Sequence, residues 1–250
     1  MDKKYAFILA FLITLIIITN TFYIKSVLSS PRIEQHQITR VIDGDTIVID
    51  SNETIRFLNV NAPEKNEPNS NLSKIFLSQY LNKTLRFEFV EKDKYNRSLA
   101  RIYSENGEYL NLLLIEKGLA SKFLVDEKEL KEFSEAEEKA INNELGIWKK
   151  SPLYVCLSSS IDANSEIIYL RSKCGVLSLS GLKLKDEGRK IFHLKNISLA
   201  SLTIHTGIGE DNETDIFFNS KTSVLNNDRD TIYLFDSSSR LLLHHAYGYS

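Results

Sequence analysis

The stretch VIDGDTIVID, residues 41–50, sets apolar β-branched runs on either side of Asp43, Gly44 and Asp45. A half-buried strand alternates apolar and polar residues, whereas here two carboxylates flank the most permissive residue of all. An Asx turn or bulge opening a strand explains that pattern without any ligand. A site that needs two acids at one strand end explains it equally well, so the neighbouring segments must decide.

Outward from this turn, short strands are expected at residues 37–42, 46–49, 54–60, 85–90 and 98–103, separated by the polar signals DSNE and ENGE. Leu72, Ile75, Phe76 and Leu81 fall on one helical face, and Leu110, Leu113, Leu114 and Ile115 on another. The segment DEKELKEFSEAEEKAINNEL reads as a charged surface helix ending before Gly146. A small barrel with appended helices fits this order. After Pro152 the composition shifts to Ser, Asn and short β-rich runs (EIIYL, VLSLSGLKL, KIFHL, SLTIHTG, DIFFN, DTIYLFD, LLLHHAY), which predicts an all-β sandwich.

The chain has 250 residues and a formal charge of −2, and residues 31–150 hold 18 Lys and Arg against 21 Asp and Glu. That balance excludes tight, nonspecific binding to a polyanion driven by bulk charge, so cations that meet phosphate must be gathered locally. Residues 5–24 carry no charge and could span about 30 Å as a helix, one hydrocarbon thickness. Residues 1–30 are therefore expected to be a single-pass membrane anchor or an uncleaved signal. Cleavage near Ser29 and Ser30 is the alternative, and it would make the protein secreted. Either way the body of the chain is expected outside the cytoplasm. Cys156 and Cys174 are the only cysteines and could pair in such a compartment or remain two buried thiols.

Two further stretches bear on the acidic turn. IRFLNVNAPE offers Arg56 within an apolar strand and Asn61, Pro63 and Glu64 at its exit, and DKYNRSLAR offers Arg97 between a turn and the next strand. Singly, such an arginine ordinarily snorkels and such a glutamate is a solvated turn residue. Together, Asp43-Gly44-Asp45-Thr46, Arg56, Pro63-Glu64 and Asp93-Lys94-Tyr95-Asn96-Arg97, followed by NLLLIEKGLA and LGIW, resemble the staphylococcal nuclease family over residues 37 to about 149.

The resemblance implies a five-stranded OB barrel with helices and a hydrolase of DNA or RNA phosphodiesters. It implies a calcium ion held by Asp45, by Asn61 and by the backbone carbonyl of Ala62, with Asp43 supporting from behind. It makes Arg56 and Arg97 the guanidinium forks on phosphate, Glu64 the group that orients and deprotonates water, and Lys94 and Tyr95 further substrate contacts. Three positions depart from the family. Asn61 stands where the calcium enzyme has a second carboxylate, Asn96 replaces a glycine, and Leu124 replaces a tyrosine beside the bound base.

Residues 154–250 resemble a lamin-tail domain, an immunoglobulin-like sandwich, on SLSGLKLKDEGRKIFHL, LTIHTGIG and VLNNDRDTIYLFDSSSRLLLHHAY, with Leu182 and Arg229 off pattern. Its ligand is unknown. The combined expectation is a monomeric, membrane-anchored, calcium-dependent nuclease with a domain at residues 34–150 and a binding or placement domain at 154–250. The competing reading is a noncatalytic binding module for nucleic acid or envelope on the same fold. Arg56, Glu64 and Arg97 favour the enzyme, because a binder has no need of a water-activating acid between two phosphate forks.

Overall fold

A computed structural model describes residues 11–20, 32–65, 67–194 and 197–249. Residues 11–20 form helix α1, and among the described residues no helix is long and apolar enough to cross a membrane. The rest of the expected anchor, residues 1–10 and 21–30, lies outside the described residues. In chain order there follow β1 (Arg32–Val41), β2 (Thr46–Ile49), β3 (Thr54–Phe57), β4 (Val60–Asn61), α2 (Ser70–Ser78), β5 (Thr84–Lys92), β6 (Ser98–Tyr103), α3 (Leu110–Glu116), β7 (Ser121–Lys122) and α4 (Leu130–Asn142).

Five of these strands close a barrel in the order β1-β2-β3-β6-β5. Inward alternation drives closure: β6 buries every second residue, and Ile38, Ile47, Ile55, Phe57, Leu85, Phe87, Ala100 and Ile102 share one core with the apolar faces of α2 and α3. The register positions the chemistry. Thr46 pairs with Arg56, and Arg56 in turn pairs with Leu99 across the parallel β3–β6 contact. Asp45, just before Thr46, therefore lies beside Phe57 at the exit of β3, and Arg97, just before β6, lies level with the start of β3.

The continuous strand expected over residues 54–60 is interrupted. Asn59 takes a left-handed conformation (φ 65°), which Asn tolerates better than most residues, and the chain turns so that β4 leaves the barrel to pair with β7, Asn61 opposite Ser121.

Beyond the barrel come β8 (Leu157–Asp162), β9 (Ile167–Ser172), β10 (Leu177–Leu179), β11 (Lys183–Asp186), β12 (Ile191–His193), β13 (Ile197–Leu199), β14 (Ser201–His205), β15 (Asp215–Phe217), β16 (Asp230–Phe235) and β17 (Leu241–Tyr247). They build two four-stranded sheets, β12-β11-β16-β17 and β15-β14-β9-β8, with a pair β10-β13. Leu184, Ile232, Leu234 and Leu242 from one sheet and Leu157, Ile168, Leu170, Leu202 and Ile204 from the other form a single core. Cys156 and Cys174 are disulfide-bonded, joining the turn before β8 to the turn after β9. Strand β8 was not expected from its sequence, LSSSID, because serines hide the alternation of an edge strand that buries only Leu157 outright.

Helix α4 is not the solvated surface helix its charge suggested. It buries Phe133, Ala136, Glu137, Ala140 and Ile141, and Ala140 and Ile141 join Trp148, Tyr233, Phe235 and Leu241 in a core cluster that spans barrel and sheets. Glu137 is buried for a reason. Lys122, 2% exposed, donates to Glu137 Oε2 at 2.9 Å and to Thr231 Oγ1 at 2.7 Å, with Glu187 Oε2 at 3.3 Å. Tyr233 donates to Glu137 at 2.9 Å and Tyr249 to Glu187. Burial pulls the Lys122 ammonium towards neutrality, but the two carboxylates outweigh it and hold it above its ordinary range.

Removing the cation would leave two buried carboxylates facing each other. Lys122→Ala is expected to destabilise the protein by about 3–5 kcal/mol in urea denaturation, the cost of breaking a buried charge network from one side. A loss below about 1 kcal/mol would mean the cluster is solvated.

Candidate active site

Two chain segments meet at the exit of β3, the turn between β1 and β2 and the loop that leads through β4, while the start of β6 lies alongside Ile55 and Arg56. The first turn is closed by its own acid, Asp45 N–H donating to Asp43 Oδ1 at 3.1 Å. Gly44 is required there for space. A Cβ on it would come within 2.6 Å of Ala62 Cβ and closer still to Ser73 Oγ on α2, so the turn, the exit loop and the helix meet at a point only glycine fits. The Ser73 hydroxyl is buried there without a hydrogen-bond partner among the described residues.

Asp45 is 4% exposed and Arg56 3%. Arg56 Nη1 donates to Asp45 Oδ1, Arg56 Nη2 donates to the Val60 carbonyl at 2.8 Å, and Ala62 N–H donates to Asp45 Oδ2 at 2.9 Å. Asp45 thus ties the exit loop to the arginine. Burial and the neighbouring Asp45 charge raise the Asp43 carboxyl above its usual range, against the Asp45 N–H, Thr46 and Arg56, which lower it. Burial pulls Arg56 below its ordinary value; Asp45 opposes this, while the charges of Arg189 and Arg97 add to it. Three guanidinium groups therefore share one electrostatic neighbourhood.

Arg97 is held by Asp93, with Nε to Oδ2 at 2.8 Å, and the turn between them uses Asn96 in the left-handed region (φ 64°), as its replacement of glycine demands. Glu64 is exposed, and its N–H donates to Glu67 Oε2 at 3.0 Å. Tyr95 is exposed, with Lys94 and Arg97 each over its ring at 5.1 and 5.4 Å. Asp43, Asp45, Arg56, Asn61 and Ala62 are thus brought together, with Arg97 beside them and Glu64, Lys94 and Tyr95 at the solvent edge.

The sequence did not reveal Arg189. It comes from the β11–β12 hairpin, and its Nε donates to Asn61 Oδ1 at 2.7 Å while its Nη2 lies 3.8 Å from Asp45 Oδ2. Phe123 lies under both Arg189 and Arg56, at 5.0 and 5.7 Å. No motif marks such a residue, which is 128 positions from its partner.

This arrangement bears on calcium. The donors that would hold it are hard oxygens of the right kind, the Asp45 carboxylate, the Asn61 amide and the Ala62 carbonyl. The two side chains are engaged: Asp45 Oδ1 by Arg56, Asp45 Oδ2 by the Ala62 N–H, and Asn61 Oδ1 by Arg189. Among the described residues no three of His, Cys, Asp and Glu cluster as a metal site. A divalent ion between these oxygens would sit against a guanidinium. As arranged, the donor set does not fit the ion.

Residues 54–150 match the family model described as staphylococcal nuclease homologue. The chain is 34% identical over 134 residues to a thermonuclease of Staphylococcus intermedius, an alignment covering 47% of this chain and 77% of that relative. The chain belongs to the staphylococcal nuclease family. It is accordingly a nuclease, a hydrolase of phosphodiester bonds. Endonuclease YncB of Bacillus subtilis (strain 168) is 35% identical over 130 residues, with 46% of this chain and 61% of that protein covered. Endonuclease YhcR of the same organism is 31% identical over 137 residues, 46% of this chain but only 11% of that protein. These alignments cover under half of this chain, a share that the family's barrel accounts for.

Gly44→Ala is expected to cost about 1–3 kcal/mol, the penalty of overpacking a filled position, and to lower cleavage with it. Thermal unfolding unchanged by the substitution would mean that α2 does not press on the turn.

Proposed function

We propose that the protein hydrolyses DNA or RNA phosphodiesters outside the cytoplasm, with Arg56 and Arg97 as phosphate-facing cations and Glu64 as the base. The observation that carries this reading is Arg56 on β3 lying within the field of Arg97, the residue just before β6, with an exposed carboxylate on the loop that leaves β3. Water adds to phosphorus as its proton passes to Glu64, the P–O bond to a sugar oxygen breaks, and the leaving alkoxide takes a proton from solvent. Negative charge grows on the phosphoryl oxygens, and guanidinium forks that remain charged at every working pH meet it with paired hydrogen bonds. Asp45 holds Arg56 in place, and Asp93 holds Arg97. Lys94 and Tyr95 offer a charge and a stacking face to the next nucleotide. Calcium, which the family resemblance implies, would have Asp45, Asn61 and the Ala62 carbonyl as its ligands, but with both side chains engaged no step above passes through it.

Digestion of single-stranded DNA and of RNA tests this. Glu64→Gln and Arg97→Lys, both at solvent-reaching positions, are each expected to lower turnover about a hundredfold with unfolding unchanged. A near-normal rate in either removes that residue's role, and nucleic-acid binding without any cleavage would favour a noncatalytic module.

Two domains are proposed, residues 34–150 and 154–250, the second a lamin-tail-like sandwich. Its two facing sheets support that reading. Export is supported by the Cys156–Cys174 disulfide, a bond that cytosolic reductants oppose, and by the apolar run at residues 5–24. We take that run as a membrane anchor. Full-length protein is expected to remain with membranes through an alkaline carbonate wash, and a mature N-terminus near Ser30 in mass spectrometry would instead make the protein secreted.

A further inference from the structure

We propose that Arg189, delivered by the C-terminal sandwich, is a third phosphate-binding cation of the active site and takes the place that a metal ion would fill between Asp45 and Asn61. The inference rests on the nuclease reading above and adds to it a residue from outside the family's barrel.

The position is built rather than incidental. The hairpin that carries Arg189 closes through Asp186 N–H to the Lys190 carbonyl at 3.1 Å and Lys190 N–H to Asp186 Oδ1 at 2.5 Å. Arg189 itself sits in the left-handed region (φ 76°), a conformation that costs any residue with a Cβ and that the adjacent Gly188 could have taken more cheaply. Two residues earlier, Glu187 is locked into the Lys122 cluster, so the base of the hairpin is pinned to the barrel. On the same sheet, Lys183 pairs with Glu67 at 3.0 Å, and Glu67 in turn accepts the N–H of Glu64. The sandwich thus grips the loop carrying the base on one side and presents a guanidinium on the other.

Charge distinguishes a working cation from a plug. Arg56 forms a direct pair with Asp45 and Arg97 with Asp93, so each brings phosphate a charge already shared with a carboxylate. Arg189 makes its tight contact to a neutral amide, while the carboxylate of Asp45 is 3.8 Å away. Asn61 orients the guanidinium without neutralising it. A carboxylate at residue 61 would close an ion pair and consume the charge; the amide leaves it available to an incoming anion. With 29% of its side chain exposed, Arg189 can be reached from solvent. Asn61, the departure that weakens a calcium site, and Arg189, the group that occupies it, are complementary parts of one arrangement.

The test uses the intact protein, a single-stranded oligonucleotide as substrate, its phosphorothioate analogue as a binding probe, and calcium alone in titration calorimetry. Wild type is expected to cleave equally with calcium or with excess chelator and to show no calcium binding at a Kd below about 1 mM, the weak end of natural calcium sites. Arg189→Ala is expected to lower cleavage in chelator about a hundredfold, as for loss of one charged donor to the transition state. It should weaken the phosphorothioate probe at least about tenfold, the share of one charged hydrogen bond. Arg189→Lys, keeping the charge without the fork, should fall between. Thermal unfolding of both variants checks that the half-exposed hairpin tip is not needed for folding. Cleavage that vanishes in chelator and returns with calcium would overturn the proposal, as would Arg189→Ala cleaving in chelator like wild type. If no variant cleaves under any condition, the nuclease reading fails, and the probe's affinity for Arg189→Ala still decides whether Arg189 binds phosphate.

Discussion

Lys122 carries an ammonium into a place almost closed to water, and two carboxylates from different parts of the chain must follow it there. Glu137 comes from the helix that flanks the barrel and Glu187 from the hairpin of the sandwich, with Thr231, Tyr233 and Tyr249 completing the shell. Such a cluster adds little net stability over an apolar core of equal shape, because desolvation offsets most of the attraction. It imposes geometry instead. A misplacement of either half would strand a charge, so the barrel and the sheets can meet in only one way.

That constraint reaches the candidate active site through short paths. Lys122 lies in β7, whose partner strand β4 ends in Asn61, and Ser121 donates to the Asn61 carbonyl at 3.2 Å. Glu187 lies two residues from Arg189. Both sides of the Asn61–Arg189 contact therefore descend from the same buried network. The Trp148–Tyr233 stack, with centroids 5.2 Å apart, adds an apolar seam beside it. Asp45 plays the corresponding part within the barrel, joining Arg56 to the Ala62 loop through both of its oxygens.

Much of this was legible in the sequence where the signal was local. The barrel strands at 46–49 and 98–103 and the strands at 230–235 and 241–247 follow from β-rich apolar runs and the turn residues that bound them, and the spacing of Asp43, Asp45, Arg56 and Arg97 pointed to the candidate site. The break at Asn59 was hidden by an apolar run that continues across it, and β8 was hidden by serines. The buried Glu137 and the arrival of Arg189 were not readable at all, since a charge pattern along a helix or hairpin says nothing about which distant residue will desolvate with it. Long-range ion pairs leave no periodicity.

The central claim is that a guanidinium of the sandwich stands where a cation would. The most direct measurement is a crystal structure of the protein grown with calcium and a short phosphorothioate oligonucleotide. The account predicts Arg189 Nε still on Asn61 Oδ1 and its free Nη on a non-bridging phosphate oxygen or sulfur. A calcium ion bridging Asp45 and Asn61, with Arg189 swung into solvent, would contradict it.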